Sequence, residues 1–510
     1  MKIKTIKIQN FRSYKDEVEI EFGDLTAFVG KNDIGKSTAL EALDIFFNCG
    51  SGIIKIDKDD INKQALSEGN TETIISVCFE ELPTSIVIDS TNLTTLQAEY
   101  LLNSSGQLEI AKKYSNGGKE KVFVIANHPT GNDCKDLLLK KNTDLQKNIR
   151  DNTITCSNQT INAVMRDAIW QHYSLELELA NIEIDVTKGD TKSIWDKLQT
   201  YLPMYSLFQS DRKNSDGDSE VQDPLKEAVK QILNDTSLKT KFDEIAAEVK
   251  TKLQDVATRT LTKIQEMNPE IVSSLNPIIP ATESLKWADV FKNVSITGDD
   301  DIPINKRGSG VKRLILLNFF RAEAERRRTQ ENIPSIIYAI EEPETSQHTE
   351  HQKKLIKAFL DLANTANTQV IITTHSAALV KDLEFPHLRL VKSDSTAKTI
   401  ENVLPNRLPY PSLNEVNFLA FSEITEEYHN ELYGYIELES EMTNYRNGKA
   451  TIPYNKLRRD GVTIVVENIV LTDYMRHQIH HPENTNNSRY TNQQLSDSID
   501  LMRDFIMTLP

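Results

Sequence analysis

Residues 30–38 read GKNDIGKST. Gly30, four further residues and then Gly35-Lys36-Ser37 is the spacing of a phosphate-binding loop. Glycines let the backbone curl so that successive N–H groups point inward, and a helix starting near Lys36 adds its own unpaired amides. The lysine brings a fixed cation to the β- and γ-phosphates, and the serine hydroxyl is a ligand for Mg²⁺. The flanks meet the motif's structural demand. DLTAFVG (24–30) is an apolar strand running into the first glycine, and STALEALDIFF (37–47) carries apolar residues at helical spacing. Gly30, Asn32, Gly35, Lys36, Ser37 and Thr38 are therefore the candidate contacts for a nucleoside triphosphate, ATP or GTP.

Working outward, the next chemistry lies three hundred residues on. SIIYAIEEPE (335–344) and TQVIITTHSAAL (368–379) are buried-strand sequences separated by HQKKLIKAFLDLANTAN (351–367), a helical stretch. This alternation predicts a parallel sheet. Glu341 and Glu342 end the first strand, where one carboxylate can enter the Mg²⁺ shell and the other can polarise an attacking water. Two solvated carboxylates are the plainer alternative. His375 ends the next strand, within reach of a γ-phosphate if the strands align. KRGSGVKRL (306–314) is a glycine turn before a helix, and Ser309 and Gly310 could offer donors to a phosphate. One subunit has no use for a second phosphate-binding turn, whereas a head-to-tail pair does; a flexible loop is the competing reading.

Length and composition set bounds. The 510 residues exceed what one core normally supports, so two or three domains are expected. The net charge of −16 leaves no global basic footprint for nucleic acid, although a local groove is compatible with it. Four cysteines without a CxxC pair predict neither a disulfide framework nor a zinc site. No run approaches a membrane span and the alternating N-terminus is not a signal peptide, so the expected compartment is the cytoplasm and no membrane partner is expected. Strands are expected at 1–8, 17–22, 73–82, 98–105, 107–114 and 120–128. The expected organisation is an N-terminal lobe (1–130), a mostly helical insertion (131–294), a C-terminal lobe (295–398) and a helical accessory region (399–510). Within the insertion, 224–267 carries apolar stripes through Leu225, Val229, Ile232 and Leu233, then Phe242, Ile245, Val249, Leu253 and Val256. Helices packed on the body and a short projecting arm both fit.

The phosphate loop, the late RGSG turn, the EEPE strand and the TTHS strand together resemble the ABC-type ATPase heads of the SMC-like group. Within it the chain most resembles the OLD family (overcoming lysogenization defect), and IKIQNFRSYKD, with Phe11, Arg12 and Ser13, is similar to that family's opening. The resemblance covers about 1–125 and 295–390. It implies an α/β fold, an ABC-type head built of a mixed sheet and a parallel core around the phosphate loop. An inserted helical arm and a largely helical tail complete it. It also implies ATP with Mg²⁺ as cofactors, Glu341 with Ser37 at the metal, and Glu342 as catalytic base. Lys36 and His375 would be catalytic as well, with Ser309 and Gly310 as the signature that caps a partner's ATP. The implied assembly is a homodimer, or a larger even-numbered oligomer, joined through ATP-sandwiched heads.

OLD nucleases carry a Toprim domain with a strand-end glutamate and a DxD pair. Here Glu467 ends GVTIVVE, but no DxD follows, so that domain is not expected. ATPases without it resemble the ATPase subunits of Septu-type and retron-associated antiphage systems, and of PARIS-type ones, which implies a separate nuclease partner of HNH type. Two rival readings remain. Arg476 and His481 have the Rx4H spacing similar to HEPN ribonucleases, in which histidine moves a proton and arginine holds a phosphate without metal. His481 could equally cap a helix. A RecF/SMC-like repair ATPase with DNA or RNA contact is the third reading.

Overall fold

The computed structural model describes residues 1–32, 34–48, 52–88, 93–187, 191–209, most of 238–254, and then 335–345, 349–393, 398–458 and 460–509. Two compact units are present, one of Met1–Ser210 with Phe320–Pro510 and one of Asp211–Phe319. In the second, the described residues form a helical run between 238 and 254. The first apolar stripe of the insertion, Val249, Leu253 and Val256 of the second, and the turn bearing Ser309 and Gly310 all lie outside the described residues.

The first unit holds two six-stranded sheets. Its strands are β1 (Lys2–Gln9), β2 (Val18–Glu21), β3 (Leu25–Val29), β4 (Glu72–Glu80), β5 (Leu108–Ser115), β6 (Glu120–Pro129) and β7 (Leu179–Asp185). They continue with β8 (Met204–Phe208), β9 (Ile336–Glu341), β10 (Thr368–Thr374), β11 (Leu388–Ser393) and β12 (Lys398–Asn402). One sheet is antiparallel, in the order β2-β1-β4-β5-β6-β7. The other runs β12-β11-β3-β10-β9-β8 and is parallel except at β12. Burial explains the division. β3, β9 and β10 are buried at every position, as strands covered on both faces must be, and they are rich in β-branched and apolar residues rather than alternating. β6 alternates buried and partly buried residues, the pattern of a sheet with one face on the core.

Helix α1 (Lys36–Phe47) joins the two sheets. Its Leu40, Leu43 and Phe46 belong to one core with Ile6, Val77 and Ile110 of the antiparallel sheet and Phe28, Tyr205, Ala339 and Ile371 of the parallel one. Polar contacts fix its height: Tyr205 donates to the Leu40 carbonyl at 2.6 Å and Tyr114 to that of Ile45 at 3.4 Å.

Two expectations differ. Residues 98–105 form turns around a left-handed Tyr100, because the apolar residues there are too few to cover a strand between turns. The stretch NAVMRDAIWQHYSLELELANI (162–182), whose composition reads as helix, is helical only over Asn162–His172. Beyond it, alternating leucines give way to β7, paired with β6 from Pro129↔Leu179 to Phe123↔Asp185. β8 likewise joins the parallel sheet beside β9. The insertion's sequence thus supplies a strand to each sheet.

Beyond residue 402 the chain is mainly helical: Leu413–Phe421, Glu426–Leu438, Met442–Arg446, Leu471–His480 and Asn492–Ile506, with a hairpin of β13 (Thr451–Leu457) and β14 (Ile464–Val470). Ser412 and Thr425 cap their helices, and Thr491 forms a capping box with Gln494. Leu432, Ile436, Met475, Ile499 and Met502 make its core. Inside it, Tyr445 Oη and Thr472 Oγ1 are 2.6 Å apart, Ser498 donates to Thr472 at 3.0 Å, and His429 Nε2 is 3.0 Å from Ser498 Oγ.

Burial pushes His429 down to about 4. Above pH 6.5 the ring is neutral in both folded and unfolded chains. As pH falls from about 6.5 to about 4, the unfolded chain takes up a proton that the folded one refuses. Stability is therefore lost across that window, on the order of 3 kcal/mol, and levels off below it. Denaturant unfolding of wild type and His429→Gln should show a stability gap that narrows as the solution is acidified through this range. A gap independent of pH would exclude His429 as the titrating group.

Candidate nucleotide-binding site

Strand register assembles the site. Val29, the last residue of β3, pairs with Thr374, the last of β10, and Thr373 pairs with Glu341, the last of β9. Gly30, His375 and Glu342 each follow directly, so three parallel strands end in one row and deliver loop, imidazole and carboxylate to the same edge. The carboxyl ends of parallel strands are where open α/β sheets bind ligands.

In the loop, Gly35 has φ 106° and a Cβ there would lie 3.2 Å from Ser13 Oγ. At Gly30 a Cβ would lie 2.9 Å from the Val391 carbonyl oxygen of β11. Both positions require glycine. Lys36 is buried and its Nζ donates to the Gly30 and Lys31 carbonyls, each at 2.8 Å, so the ammonium sits inside the loop's curve. Thr38 N–H bonds to the Gly35 carbonyl at 3.2 Å. Ser37 is half-buried and Asn32 exposed. Among the described residues α1 has neither a side-chain cap nor an acidic residue in its first turn, so its positive end faces the loop uncompensated by them.

The NFRSY segment supports the loop from behind. Phe11 and Tyr14 exchange backbone hydrogen bonds at 2.9 Å, with Arg12 left-handed between them at φ 50°. Tyr14 donates its hydroxyl to the Gly35 carbonyl at 3.2 Å, and burial holds that phenol far above its usual value, so it remains a donor. Arg12 pairs with Asp60 at 2.7 Å and with Glu41 of α1.

At the row's other end, Glu341 is buried and Glu342 follows at φ 40°. A glutamate in that region is strained, and such strain persists where surroundings over-determine it. Here Glu342 N–H bonds to the Thr373 carbonyl at 3.0 Å and approaches its hydroxyl at 3.2 Å, while Thr345 N–H returns to the Glu342 carbonyl at 3.1 Å. His375 Nδ1 lies 3.3 Å from Glu342 Oε2 and 3.3 Å from Glu344 Oε1. A proton on Nδ1 would be shared between the two carboxylates and would leave Nε2 for another partner. Glu344 escaped sequence reasoning. Its signal was a third carboxylate within four residues, EEPE, which reads as a loop exit.

The residues suit a magnesium–nucleotide. Uncompensated helix amides and a buried lysine match phosphate, and a serine hydroxyl with a buried strand-end carboxylate matches a cation that usually takes one or two carboxylates plus phosphate oxygens. Among the described residues no group of three His, Cys, Asp or Glu side chains could hold a metal by itself.

The tail candidates have other partners. The Arg476 guanidinium stacks over the Tyr433 ring at 4.1 Å and lies 3.6 Å from Glu437, while His481 ends its helix 3.0 Å from Glu483. Glu467 pairs across the hairpin with Lys456 at 3.1 Å, and Asp473 is held by Arg446 and Tyr433. No helix among the described residues is long and apolar enough to cross a membrane.

Among known proteins, the chain is similar to the OLD nuclease of Thermus scotoductus, 22% identical over 400 residues that cover 78% of this chain, and spans 63% of that protein's length. Among solved structures it is similar to the SMC head domain from Thermotoga maritima, at 13% identity over 79% of this chain and 100% of that one with a TM-score of 0.33. A second is the Smc head domain with an extended coiled coil bound to the C-terminal domain of ScpA derived from Pyrococcus furiosus, at 12% identity, 78% and 95% coverage and a TM-score of 0.41. A family profile described as "AAA ATPase domain" matches residues 1–380, which include Lys36, Glu341, Glu342 and His375. The chain belongs to the AAA ATPase domain family.

Proposed function

We propose that this protein binds and hydrolyses ATP as a regulatory subunit, two copies clasping ATP between one copy's Lys36 loop and the other's Ser309–Gly310 turn, and so controls a separate nuclease. The row formed by Gly30, Lys36, Glu341, Glu342 and His375 carries this reading. Lys36 and the amides of α1 would bind the phosphates, and Ser37 with Glu341 would hold Mg²⁺, which neutralises phosphate charge. Glu342 would take a proton from the attacking water while His375 Nε2 faces the γ-phosphate. Glu467 and Asp473, the tail carboxylates nearest a Toprim-like pattern, are paired with Lys456, Arg446 and Tyr433, and this supports placing cleavage elsewhere than on these two residues. With the resemblance to OLD, Septu and retron-associated ATPases, the setting we propose is bacterial antiphage defence with an HNH-type partner.

Complementation between two damaged chains tests the clasp. Lys36→Ala and Ser309→Arg should each lose turnover. Mixed, they should regain about a quarter of wild-type activity, since half the pairs are hybrids with one intact site in two. No recovery above either variant alone would remove the head-to-tail arrangement. DNA or RNA cut by the purified chain alone would remove the separate effector.

A further inference from the structure

Glu344 is buried, yet among the described residues its carboxylate is not paired with lysine or arginine. Its Oε1 accepts a hydrogen bond from Thr374 Oγ1 at 2.7 Å and another from the backbone N–H of His375 at 2.9 Å. Thr374 Oγ1 in turn accepts from Ser376 N–H at 3.0 Å. The other oxygen, Oε2, is buried without a hydrogen-bond partner among the described residues. Burying a carboxylate with one oxygen bare is costly, and the turn would be cheaper to hold with a neutral side chain. The two bonds it does make converge on one place, the Thr374 side chain and the amide that leads into the His375 Cα.

We infer that Glu344 is a positioning residue for His375, an inference that rests on the proposed ATPase reading. β9 and β10 are joined at their ends twice. Glu342 reaches Thr373 through its backbone N–H, and Glu344, two residues on, reaches Thr374 and His375 through its side chain. The turn between them is closed by Thr345 N–H on the Glu342 carbonyl. Base and histidine are thereby held as one rigid piece, with Nδ1 3.3 Å from each carboxylate. Without Glu344, His375 keeps its identity but loses the acceptor that fixes its backbone. Nε2 then drifts from the line on which the γ-phosphate arrives.

ATP turnover of the full chain tests this. Glu344→Ala should lower kcat about 10- to 100-fold, the scale of a misplaced reacting group, with KM for ATP within about threefold. Glu344→Gln retains an acceptor oxygen and should keep kcat within about threefold of wild type. Thr374→Val, which removes only the hydroxyl link, should lower kcat in the same direction and covers the case in which the alanine variant does not fold. The deciding measurement is the pair with His375→Ala. If Glu344 acts through the histidine, adding Glu344→Ala or Thr374→Val to His375→Ala slows turnover no further. A full extra loss in that background, or an alanine variant within about twofold of wild type, overturns the proposal. Unchanged turnover in His375→Ala itself would instead overturn the underlying assignment of the histidine.

Discussion

Glu342→Gln is expected to lower ATP turnover about 10²- to 10⁴-fold, the usual contribution of a positioned general base, while leaving ATP affinity within about threefold. Glutamine has the same length and can still sit beside His375 Nδ1, so the geometry of the row survives. What disappears is the ability to take a proton from water. The backbone strain at Glu342, φ 40°, is untouched because its N–H bonds to Thr373 do not involve the side chain. The variant should therefore accumulate as an ATP-loaded assembly of raised mass, visible by mass photometry with ATP and Mg²⁺. Turnover equal to wild type would show that another group activates the water.

Lys36→Ala should weaken ATP binding roughly 30- to 150-fold, which corresponds to about 2–3 kcal/mol for a lost hydrogen-bonded charge. Two effects add. The phosphates lose their fixed cation, and the loop loses the ammonium that bridges the Gly30 and Lys31 carbonyls at 2.8 Å. Those two carbonyls then lose the donor they share, and the loop keeps the bonds that Tyr14 and Thr38 make to the Gly35 carbonyl. A titration with a fluorescent ATP analogue measures the loss, and affinity within about threefold of wild type would contradict the role.

The elements that frame the candidate phosphate loop were legible in the sequence. GKNDIGKST calls for a strand before it and a helix after it, and the largely apolar runs LTAFV, IIYAI and TQVIITT signal strands buried on both faces. Their alignment was not legible, because register between residues hundreds of positions apart leaves no local mark. β7 and β8 were missed for a related reason. Each is short, and each gains its stability from a partner far away in sequence, while helix-forming residues upstream dominate the local pattern. Residues 98–105 failed in the opposite direction, since EYLL imitates a strand while Tyr100 sits at φ 51°. In the site, motif reasoning named the candidate nucleotide contacts. It passed over Tyr14 and Glu344, whose partners, the Gly35 carbonyl, the Thr374 hydroxyl and the His375 amide, lie on other elements and leave no sequence signature.

The central place of β3 in the parallel sheet bears on how the protein is made. Leu25 and Val29 bond to Val370 and Thr374 on one side, and Ala27 and Val29 to Leu388 and Leu390 on the other. While the ribosome works from residue 25 to residue 370, at 5–20 residues per second, this apolar segment waits about 20–70 s for its neighbours. For that interval it is a naked sheet edge on a nascent chain, the kind of surface that chaperones shield. Productive synthesis then depends less on how fast the finished protein folds than on how well this one segment is guarded until translation catches up.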